Sequence, residues 1–473
     1  MILEIKKETG TLAFLRRLGY TLQESAQSII RECESWYRNN EVTKHRRETV
    51  QGEKYTMFHM GFGKRVCSDD ASLCEVLEVN AGDTDTAQFD AVNALLEANR
   101  FLPQFRRQLE LCAALGTEAC YVRQAGADVL EASDGTQSLK GGETELVYVD
   151  ATGFFPLTVR NGEVLEAAFV GADLTNGKES TTLVICTLVH GSKRYQYRTV
   201  TFDEKGEVVS DDAVELGEVK PFAVLHTSTV NHIPGMRGYG LPKLSETIPI
   251  LLSLDMVFTA MFGDIDESEK ITIINEALCG FEKNGDPIPP SKQMKKRFII
   301  LGDKLPEKNT FVHEIVPSVR VTEFTELLEL LLSLLSMQFG YGMRKYRFEN
   351  GQITTATEYA GERQDQMQEL NKQREIARKY IADIVRAALW FQNTFGGTSW
   401  DIDVPVLVEF DDSYVTDRKS ELEDMRNDVL AGIGGDNVLS LYLQQRYNLT
   451  EDEAAEWIRG EPKEETPEDD EEA

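Results

Sequence analysis

Two strongly apolar segments constrain this fold more than any other feature of the sequence. Residues 244–262 and 324–339 carry apolar side chains on nearly every face of a helix. In the first segment Asp255 is the only charge between Ile248 and Phe262, and this run of 15 residues is shorter than the ~20 that cross a bilayer. Helices of this kind are usually buried against protein. Either neighbouring subunits cover them, or they form an ordinary hairpin inside one chain.

The stretch between the two apolar segments has a different composition. Residues 271–319 are richer in strand and turn formers and include the turn signal Asn284-Gly285-Asp286-Pro287. We therefore predict a small α/β subdomain inserted between two paired helices. Pro249 is expected to kink the first helix or to delay its start, because proline lacks the amide hydrogen that a helix interior uses.

The amino-terminal part predicts helices followed by a β domain. Apolar residues recur at helical spacing in 22–37 and 63–74, and a third helix is expected near 89–116. From residue 119, short runs that alternate apolar and polar residues are separated by glycine-containing turns, which is typical of β-hairpins. The expected strands are 119–123, 146–150, 164–170, 181–190, 194–202 and 221–226.

A helix of about 40 residues is expected after Thr354, which is a preferred N-cap residue. Its first half is polar, whereas its second half carries an apolar stripe, so the helix passes from solvent into a core. The stripe consists of Ile376, Tyr380, Ile381, Ile384, Val385, Ala388 and Leu389. A strand at 404–410 and helices at 416–432 and 437–460 follow. The last 13 residues include 8 acidic ones, and we expect this tail to be disordered.

The charge balance disfavours several classes of partner. The chain has 50 Lys and Arg against 80 Asp and Glu, a net charge of −30. Proteins that grip nucleic acid or anionic lipid do so with basic patches, so neither is an expected tight ligand. The first residues show no signal-peptide pattern, and the seven cysteines form no CxxC pair. We expect reduced thiols in a cytosolic compartment.

No motif demands catalysis. Residues 171–179 imitate a phosphate-binding loop, but their glycines are one residue too far apart and Glu179 replaces the magnesium-binding hydroxyl. The six histidines form no HExxH motif and have no cysteine or acidic ligand cluster near them in the sequence, which disfavours a zinc site or a catalytic triad. Asp69-Asp70 and Asp211-Asp212 are interpreted as solvated acids. We expect no catalytic residue, no metal and no cofactor.

Several short motifs follow one another in a defined order. They are GKRVCSDDASL at 63–73, AALGTEA at 113–119, FFPL at 154–157, GYG at 238–240, TATE at 355–358 and FDDS at 410–413. Each motif is weak alone. Their order over residues 60–460 resembles that of phage portal proteins, in particular the branch with the SPP1-like and A118-like portals.

The resemblance implies a multidomain α+β portal fold. Its parts would be a wing (1–238, with the strand 404–410), two stem helices (239–268 and 319–339), a clip (269–318), a tunnel loop (340–354), a long helix (355–396), a crown (412–460) and the acidic tail (461–473). Portals are non-enzymatic rings, typically dodecamers, at one capsid vertex. They nucleate procapsid assembly with scaffold and major capsid protein, dock the terminase large subunit, let double-stranded DNA pass, and bind head-completion or adaptor proteins.

Three sets of residues would carry this role. The tunnel-loop set would touch DNA transiently or, alternatively, pair with neighbouring acids, and it consists of Arg344, Lys345, Tyr346 and Arg347. The clip set would meet an acidic partner or form a solvated turn, and it consists of Lys292, Lys295, Lys296 and Arg297. The stem set would face neighbouring subunits, and it consists of Leu251, Leu254, Phe258, Phe262, Leu328, Leu331 and Leu335.

Two other functions are weighed against the portal. One is another non-catalytic ring, such as a head–tail adaptor or scaffold, which the length and the inserted clip disfavour. The other is a metal-dependent nuclease built on Asp and Glu pairs, which the absence of a compact ligand motif disfavours. The expected location is the virion, with host cytoplasm during assembly, and no membrane.

Overall fold

A computed structural model describes most of the chain. The described residues are 2–39, 45–48, 52, 54–82, 86–131, 137–175, 178–268, 271–275, 280–284, 287–288, 298–301, 312–315, 318–343, 345–346, 356–411, 425–433, 435–447 and 451–459. They mix helices with mainly antiparallel strands, which agrees with the predicted α+β class. Two compact units are present, Met1–Glu409 and Phe410–Ala473.

The helices follow the apolar periodicity of the sequence. They are α1 (Ile2–Arg17), α2 (Glu24–Tyr37), α3 (Phe62–Leu73), α4 (Ala87–Ala98), α5 (Phe101–Leu115), α6 (Lys243–Glu267), α7 (Val321–Gln338), α8 (Ala356–Phe395), α9 (Gly435–Tyr447) and α10 (Glu451–Arg459). The region expected as one helix near 89–116 is two helices. Asn99 and the left-handed Arg100 separate α4 from α5.

The described strands include those that alternation predicted and several that it did not. They are β1 (Arg46–Glu48), β2 (Lys54–Thr56), β3 (Val76–Ala81), β4 (Thr117–Ala125), β5 (Asp128–Glu131), β6 (Gln137–Lys140), β7 (Glu143–Asp150), β8 (Phe154–Arg160), β9 (Glu163–Thr175), β10 (Lys178–Leu188), β11 (Tyr195–Phe202), β12 (Val208–Glu215), β13 (Phe222–His226), β14 (Ile271–Asn275), β15 (Gly280–Phe281), β16 (Pro287–Ile288), β17 (Phe298–Leu301), β18 (Val312–Ile315) and β19 (Val406–Phe410). All six expected strands are present.

Two antiparallel sheets form the β region of the first unit. One runs β12-β11-β10-β9-β8, and the other runs β13-β4-β7. The pairing of β10 with β11 sets Leu183 opposite Val200, and both are buried with Phe14 and Leu15 of α1. The apolar face of the larger sheet is therefore covered by α1, since a half-buried sheet needs a partner for that face. β19 pairs with β3, far from it in sequence.

The second half of α8 packs on the smaller sheet. The apolar stripe predicted for this half is buried, including Ile381 and Ile384. The Tyr380 hydroxyl donates to Gln108 Oε1 of α5 at 2.8 Å, which satisfies two buried polar groups at once. Side chains of residues 356–365 lie outside the described part, as does Thr354.

Two of the sequence motifs meet at one tight backbone contact. Gly116 ends α5 with φ +86°, a left-handed conformation that favours glycine. A Cβ at Gly240 would lie 2.1 Å from the Gly116 carbonyl oxygen, so neither position has room for a side chain. Thr117 Oγ1 accepts a hydrogen bond from the Gly240 amide at 2.8 Å. The contact holds the segment just before α6 against the first residue of β4.

Helices α6 and α7 form an antiparallel hairpin. Near its far end, the Arg320 guanidinium before α7 donates to both carboxylate oxygens of Asp264 in α6, at 3.0 and 2.5 Å. At its other end, Gln338 donates to Glu246 at 3.2 Å. The two apolar segments of the sequence are thus neighbours, as predicted for a pair of helices.

The first of these helices is longer than its apolar run suggested. α6 has 25 residues and begins at Lys243, so Pro249 lies inside it and does not delay its start. By length and composition alone this helix is apolar enough to cross a membrane, and the same holds for many core helices of soluble proteins. Only 22% of its most apolar window is buried within the chain. The helix extends beyond the 15-residue apolar run because the flanking polar residues are helical too, and it lies within the 239–268 expected for the first stem helix.

The inserted segment contains a small mixed sheet. β14 is central, parallel to β17 and antiparallel to β18. Only strands are described there, so the helical part expected of an α/β subdomain lies outside the described residues. In the second unit, α9 and α10 pack together, with the Tyr447 and Trp457 rings 5.4 Å apart. Most of the predicted helix at 416–432 and all of the acidic tail lie outside the described residues.

Candidate functional site

The loop that follows α7 turns back onto its own chain. The ammonium group of Lys345 lies 3.9 Å from the centre of the Tyr341 ring, within cation–π range. The Tyr346 hydroxyl donates to Asp69 Oδ2 of α3 at 2.9 Å. Of the predicted tunnel-loop set, Lys345 and Tyr346 are therefore half-buried against α3, whereas Arg344 and Arg347 lie outside the described residues.

Asp70, next to Asp69, joins four segments of the chain. Its carboxylate accepts from Lys243 Nζ of α6 at 2.9 Å, from the Tyr341 hydroxyl at 2.9 Å, and from Gln373 of α8 at 3.0 Å. Asp70 is buried. The interpretation of this acidic pair as solvated was wrong for Asp70, because three donors distant in sequence compensate its loss of water.

Besides the exposed Lys372, which lies 3.6 Å from Glu369, this group contains the buried cation Lys243. Its ammonium bridges Asp70 and Glu369, the latter at 3.0 Å. Burial opposes its charge, but the two carboxylates outweigh burial and raise the pKa of Lys243. For Glu369 burial again opposes the charge, while Lys243 and the Ser228 hydroxyl lower its pKa below the usual range. The pair stays ionised at neutral pH and locks α6 to α8.

The side chains of the loop respond to the same surroundings. Burial lowers the pKa of Lys345, although Asp69 and Asp70 act in the opposite direction. Burial and the neighbouring carboxylates raise the pKa of Tyr341 and Tyr346 above the tyrosine range. Both tyrosines are thus neutral donors at neutral pH. This arrangement anchors the start of the loop firmly, and it supports the alternative in which Lys345 interacts with acids of its own chain.

The stem set divides by burial. Leu251, Leu254, Leu328 and Leu335 are buried within the protomer, so they already belong to its own core. Phe258 and Leu331 are partly covered, and Phe262 is 41% exposed. Since a buried side chain has no surface left to cover, an interface would use the exposed residues of the hairpin. Those are Met256, Phe262 and Ile265 of α6 and Val321, Leu327, Leu330 and Met337 of α7.

The clip set cannot be placed. Lys292, Lys295, Lys296 and Arg297 lie outside the described residues, immediately before β17. Their role remains the one predicted from sequence.

A further cluster was missed by sequence reasoning. His45, His59 and Asp255 come together on one side of α6, with candidate ligand atoms all within 4.8 Å of one another. His45 and Asp255 are 210 residues apart, so no local motif could reveal the cluster. The one signal available was a lone charge in the middle of an apolar helix, which needs a buried partner.

Comparison with known proteins gives structural similarity only. No family model and no curated protein matches the chain. A chain from the neck of a native gene transfer agent particle, solved with C12 symmetry, has a TM-score of 0.41 and 11% identity over 80% of this chain and 89% of that chain. A chain from the virion of a native gene transfer agent has a TM-score of 0.40 and 13% identity over 79% and 85%. A third chain, from the neck of an empty gene transfer agent particle with C6 symmetry, has a TM-score of 0.39 and 11% identity over 79% of this chain and 90% of that chain.

Proposed function

We propose that this chain is a portal subunit of the SPP1-like and A118-like branch. It forms a non-enzymatic ring, typically a dodecamer, at one capsid vertex, and double-stranded DNA passes through that ring during packaging and ejection. The observation that carries the proposal is the α6–α7 hairpin. Its two helices pair with each other and still expose a row of large apolar side chains.

The exposed row needs a protein surface to cover it. Leu330 and Phe262 are 54% and 41% exposed, on α7 and α6 respectively. Fully burying one such side chain stabilises an interface by about 1.5–3 kcal/mol. Both helices expose apolar residues. A hairpin with a neighbouring subunit on each side therefore buries more of these residues than a hairpin in a single two-fold symmetric contact. Repeated head-to-tail contacts that close on themselves give a ring.

The charge of the chain fits a channel that lets DNA slide. Twelve copies at −30 each carry about −360, and DNA bears one negative charge per ~1.7 Å of its axis. Most contacts between them are therefore repulsive, which prevents the duplex from sticking. Arg344 and Arg347 lie in the loop that Tyr341 and Tyr346 anchor, where a few cations would give brief phosphate contacts.

The partners follow from the same role. The proposed ring nucleates procapsid assembly with scaffold and major capsid protein in the host cytoplasm, and it remains in the virion. It docks the terminase large subunit and later a head-completion or adaptor protein. The clip set, with four cations in six residues, is the proposed contact for an acidic surface on one of these partners.

Imaging of the purified chain tests the proposal. Negative-stain electron microscopy and mass photometry of the full chain should show closed rings with a central hole, with a mass near twelve times 53.3 kDa. A chain that stays monomeric at every concentration, and also with scaffold and capsid protein present, contradicts it. Rings that fail to bind the terminase large subunit would instead indicate a head–tail adaptor.

A further inference from the structure

Two imidazoles and one carboxylate converge where residues 45–60 pack on α6. His45 Nε2 is hydrogen-bonded to Asp255 Oδ2 at 2.7 Å, whereas His59 Nδ1 lies 2.9 Å from the same oxygen without hydrogen-bond alignment. The two imidazole rings are 4.6 Å apart between centroids. His45 and Asp255 are buried, and the side chain of His59 is 21% exposed.

Among the described residues, the two ring nitrogens of His59 lack hydrogen-bond partners in this arrangement. Both of its ring nitrogens are shielded from solvent and, within the described part of the chain, neither makes an aligned hydrogen bond. Nδ1 is nevertheless at hydrogen-bond distance from Asp255. A hydrogen-bond donor points at its acceptor, whereas metal ligands point at a common centre and approach one another without that alignment. A buried polar group without a protein partner is typical of a group that binds an ion or a water.

We propose that His45, His59 and Asp255 bind one divalent transition-metal ion, with Zn²⁺ as the preferred ion. Two neutral imidazole nitrogens and one carboxylate oxygen are an established ligand type for zinc, and they leave a fourth position for water. The carboxylate offsets part of the charge of the ion. Ligands ~2.0–2.1 Å from a tetrahedral ion lie roughly 3.3 Å apart, so each imidazole moves back by about half an ångström.

Neighbouring groups orient the three ligand side chains and shield them from solvent. The amide of Met60 donates to Asp255 Oδ1 at 2.8 Å, which orients the carboxylate and leaves Oδ2 facing the two histidines. Trp36 is fully buried, with its ring 5.0 Å from that of His45 and 5.6 Å from that of His59. Such an apolar wall strengthens ion–ligand attraction, because few waters compete. The partial exposure of His59 shows that the cluster lies next to the surface of the protein.

The ion would act as a structural tie. It joins the β1–β2 hairpin and the chain just after it to the middle of α6, which are far apart in sequence. Binding to the folded chain alone stabilises it in proportion to the ion concentration. The site lies within one protomer, so it exists whether or not the chain forms rings, and its test is separate from that of the proposed function.

Metal analysis of the full chain is the first test. Protein purified without chelator and dialysed against metal-free buffer should retain about one Zn²⁺ per chain by mass spectrometry. Chelated protein loaded with Co²⁺ should show the intense visible absorption of four-coordinate cobalt, which Zn²⁺ then removes. Zn²⁺ at a hundredfold excess over its Kd should raise the Tm by roughly 3–5 °C. No retained zinc together with no cobalt spectrum overturns the proposal.

Variants locate the ion. His59→Gln should weaken Zn²⁺ binding by more than the ~10–100-fold cost of losing an outer-shell partner, and His45→Gln should do the same. His232→Gln is the control, since His232 is an exposed histidine distant from the cluster in sequence. Zinc binding that survives His59→Gln unchanged places the ion elsewhere, for example on the acidic carboxyl-terminal residues, and overturns the proposal. If His45→Gln does not fold, His59→Gln and the wild-type cobalt spectrum decide the question.

Discussion

At the scale of single residues, the buried ionic group around Lys243 is the most demanding feature of the protein. Three charges share a space from which water is largely excluded, and Lys243 is the bridge between Asp70 and Glu369. Such groups are costly to assemble and costlier to break, because removing one partner leaves an unpaired charge in the interior. Such a group contributes to the specificity of the fold. All three charges have partners only when one arrangement brings together α3, α6, α8 and the loop after α7.

Lys243→Met should destabilise the first unit by about 3–5 kcal/mol, because buried Asp70 loses its ammonium partner and Glu369 keeps only the exposed Lys372. Urea unfolding monitored by tryptophan fluorescence measures the loss. Arg106→Met is the matched control, since it removes a cation from an exposed pair with Glu75, where such pairs contribute about 0–1 kcal/mol. Equal effects of the two variants would show that the buried group is not the stabilising one.

His226 gives the fold a pH dependence. Burial, with Lys220 and Lys379 nearby, lowers the pKa of His226 from 6.5 to about 4. A histidine with a lowered folded pKa contributes stability that is complete above its unfolded pKa of 6.5 and is lost as pH falls toward 4. The unfolded chain takes up the proton first in that window, so acid favours unfolding.

His226→Leu should remove this contribution. Between pH 7 and pH 5 the wild type should lose roughly 2 kcal/mol more stability than the variant, from 1.36 kcal/mol per pKa unit over about 1.5 units. Urea unfolding at the two pH values measures the difference. The exposed His232→Leu should follow the wild type. A variant whose pH dependence matches that of the wild type would refute the assignment to His226.

At the scale of elements, the α6–α7 hairpin combines two kinds of surface. One side is the core of the protomer and includes Leu254 and Leu335, both fully buried. The other side presents residues such as Phe262 and Leu330 to solvent. A helix that is apolar all round cannot bury itself against a single partner helix, and the second side is therefore the surface proposed for contact with other subunits.

The double variant Phe262→Glu/Leu330→Glu should abolish ring formation while leaving the protomer folded. The two side chains are exposed, so their replacement should alter protomer stability by less than about 0.5 kcal/mol. It would, however, place a carboxylate on each apolar face in every interface. Mass photometry and circular dichroism report the two properties. Val209→Glu is the control, because Val209 of β12 is also an exposed apolar residue, at 68%, but lies outside the hairpin. Rings formed by the double variant would move the interface away from this face.

At the scale of the whole molecule, the loop after α7 lies beside the junction of several elements. Tyr341 and Tyr346 anchor it to α3 through Asp70 and Asp69, and α8 begins a few residues later. The described start of the loop is therefore held by the core of its own chain, and the variants below test the role proposed for its cations.

The triple variant Arg344→Ser/Lys345→Ser/Arg347→Ser should form normal rings and reduce DNA packaging. Loss of the cations removes transient phosphate contacts without touching the hairpin. Ring images and the amount of nuclease-protected DNA in filled heads measure the two effects. Lys345→Ser alone should change packaging less, since Lys345 interacts with Tyr341 of its own chain. Undiminished packaging by the triple variant would refute the tunnel-loop role.

Much of the element structure follows from local patterns. The six expected strands and the long helix α8 were predicted because alternation and helical spacing depend only on which residues are near in sequence. The division between α4 and α5 was missed, since it depends on one left-handed residue, Arg100, that no apolar pattern marks. Of the two effects expected of Pro249, the delayed start is wrong, since α6 begins six residues before it.

What the sequence determined by itself is therefore the most regular elements, which are the two apolar helices, the long helix α8 and the six expected strands, together with the order of motifs. Only the tertiary structure decided which charges meet. Lys243 with Asp70 and Glu369, and His45 with Asp255, are joined across 126 to 210 residues. The physical reason is that a buried charge is costly unless it is paired, but this cost does not depend on where in the chain the partner lies. The fold selects it by bringing distant segments into contact.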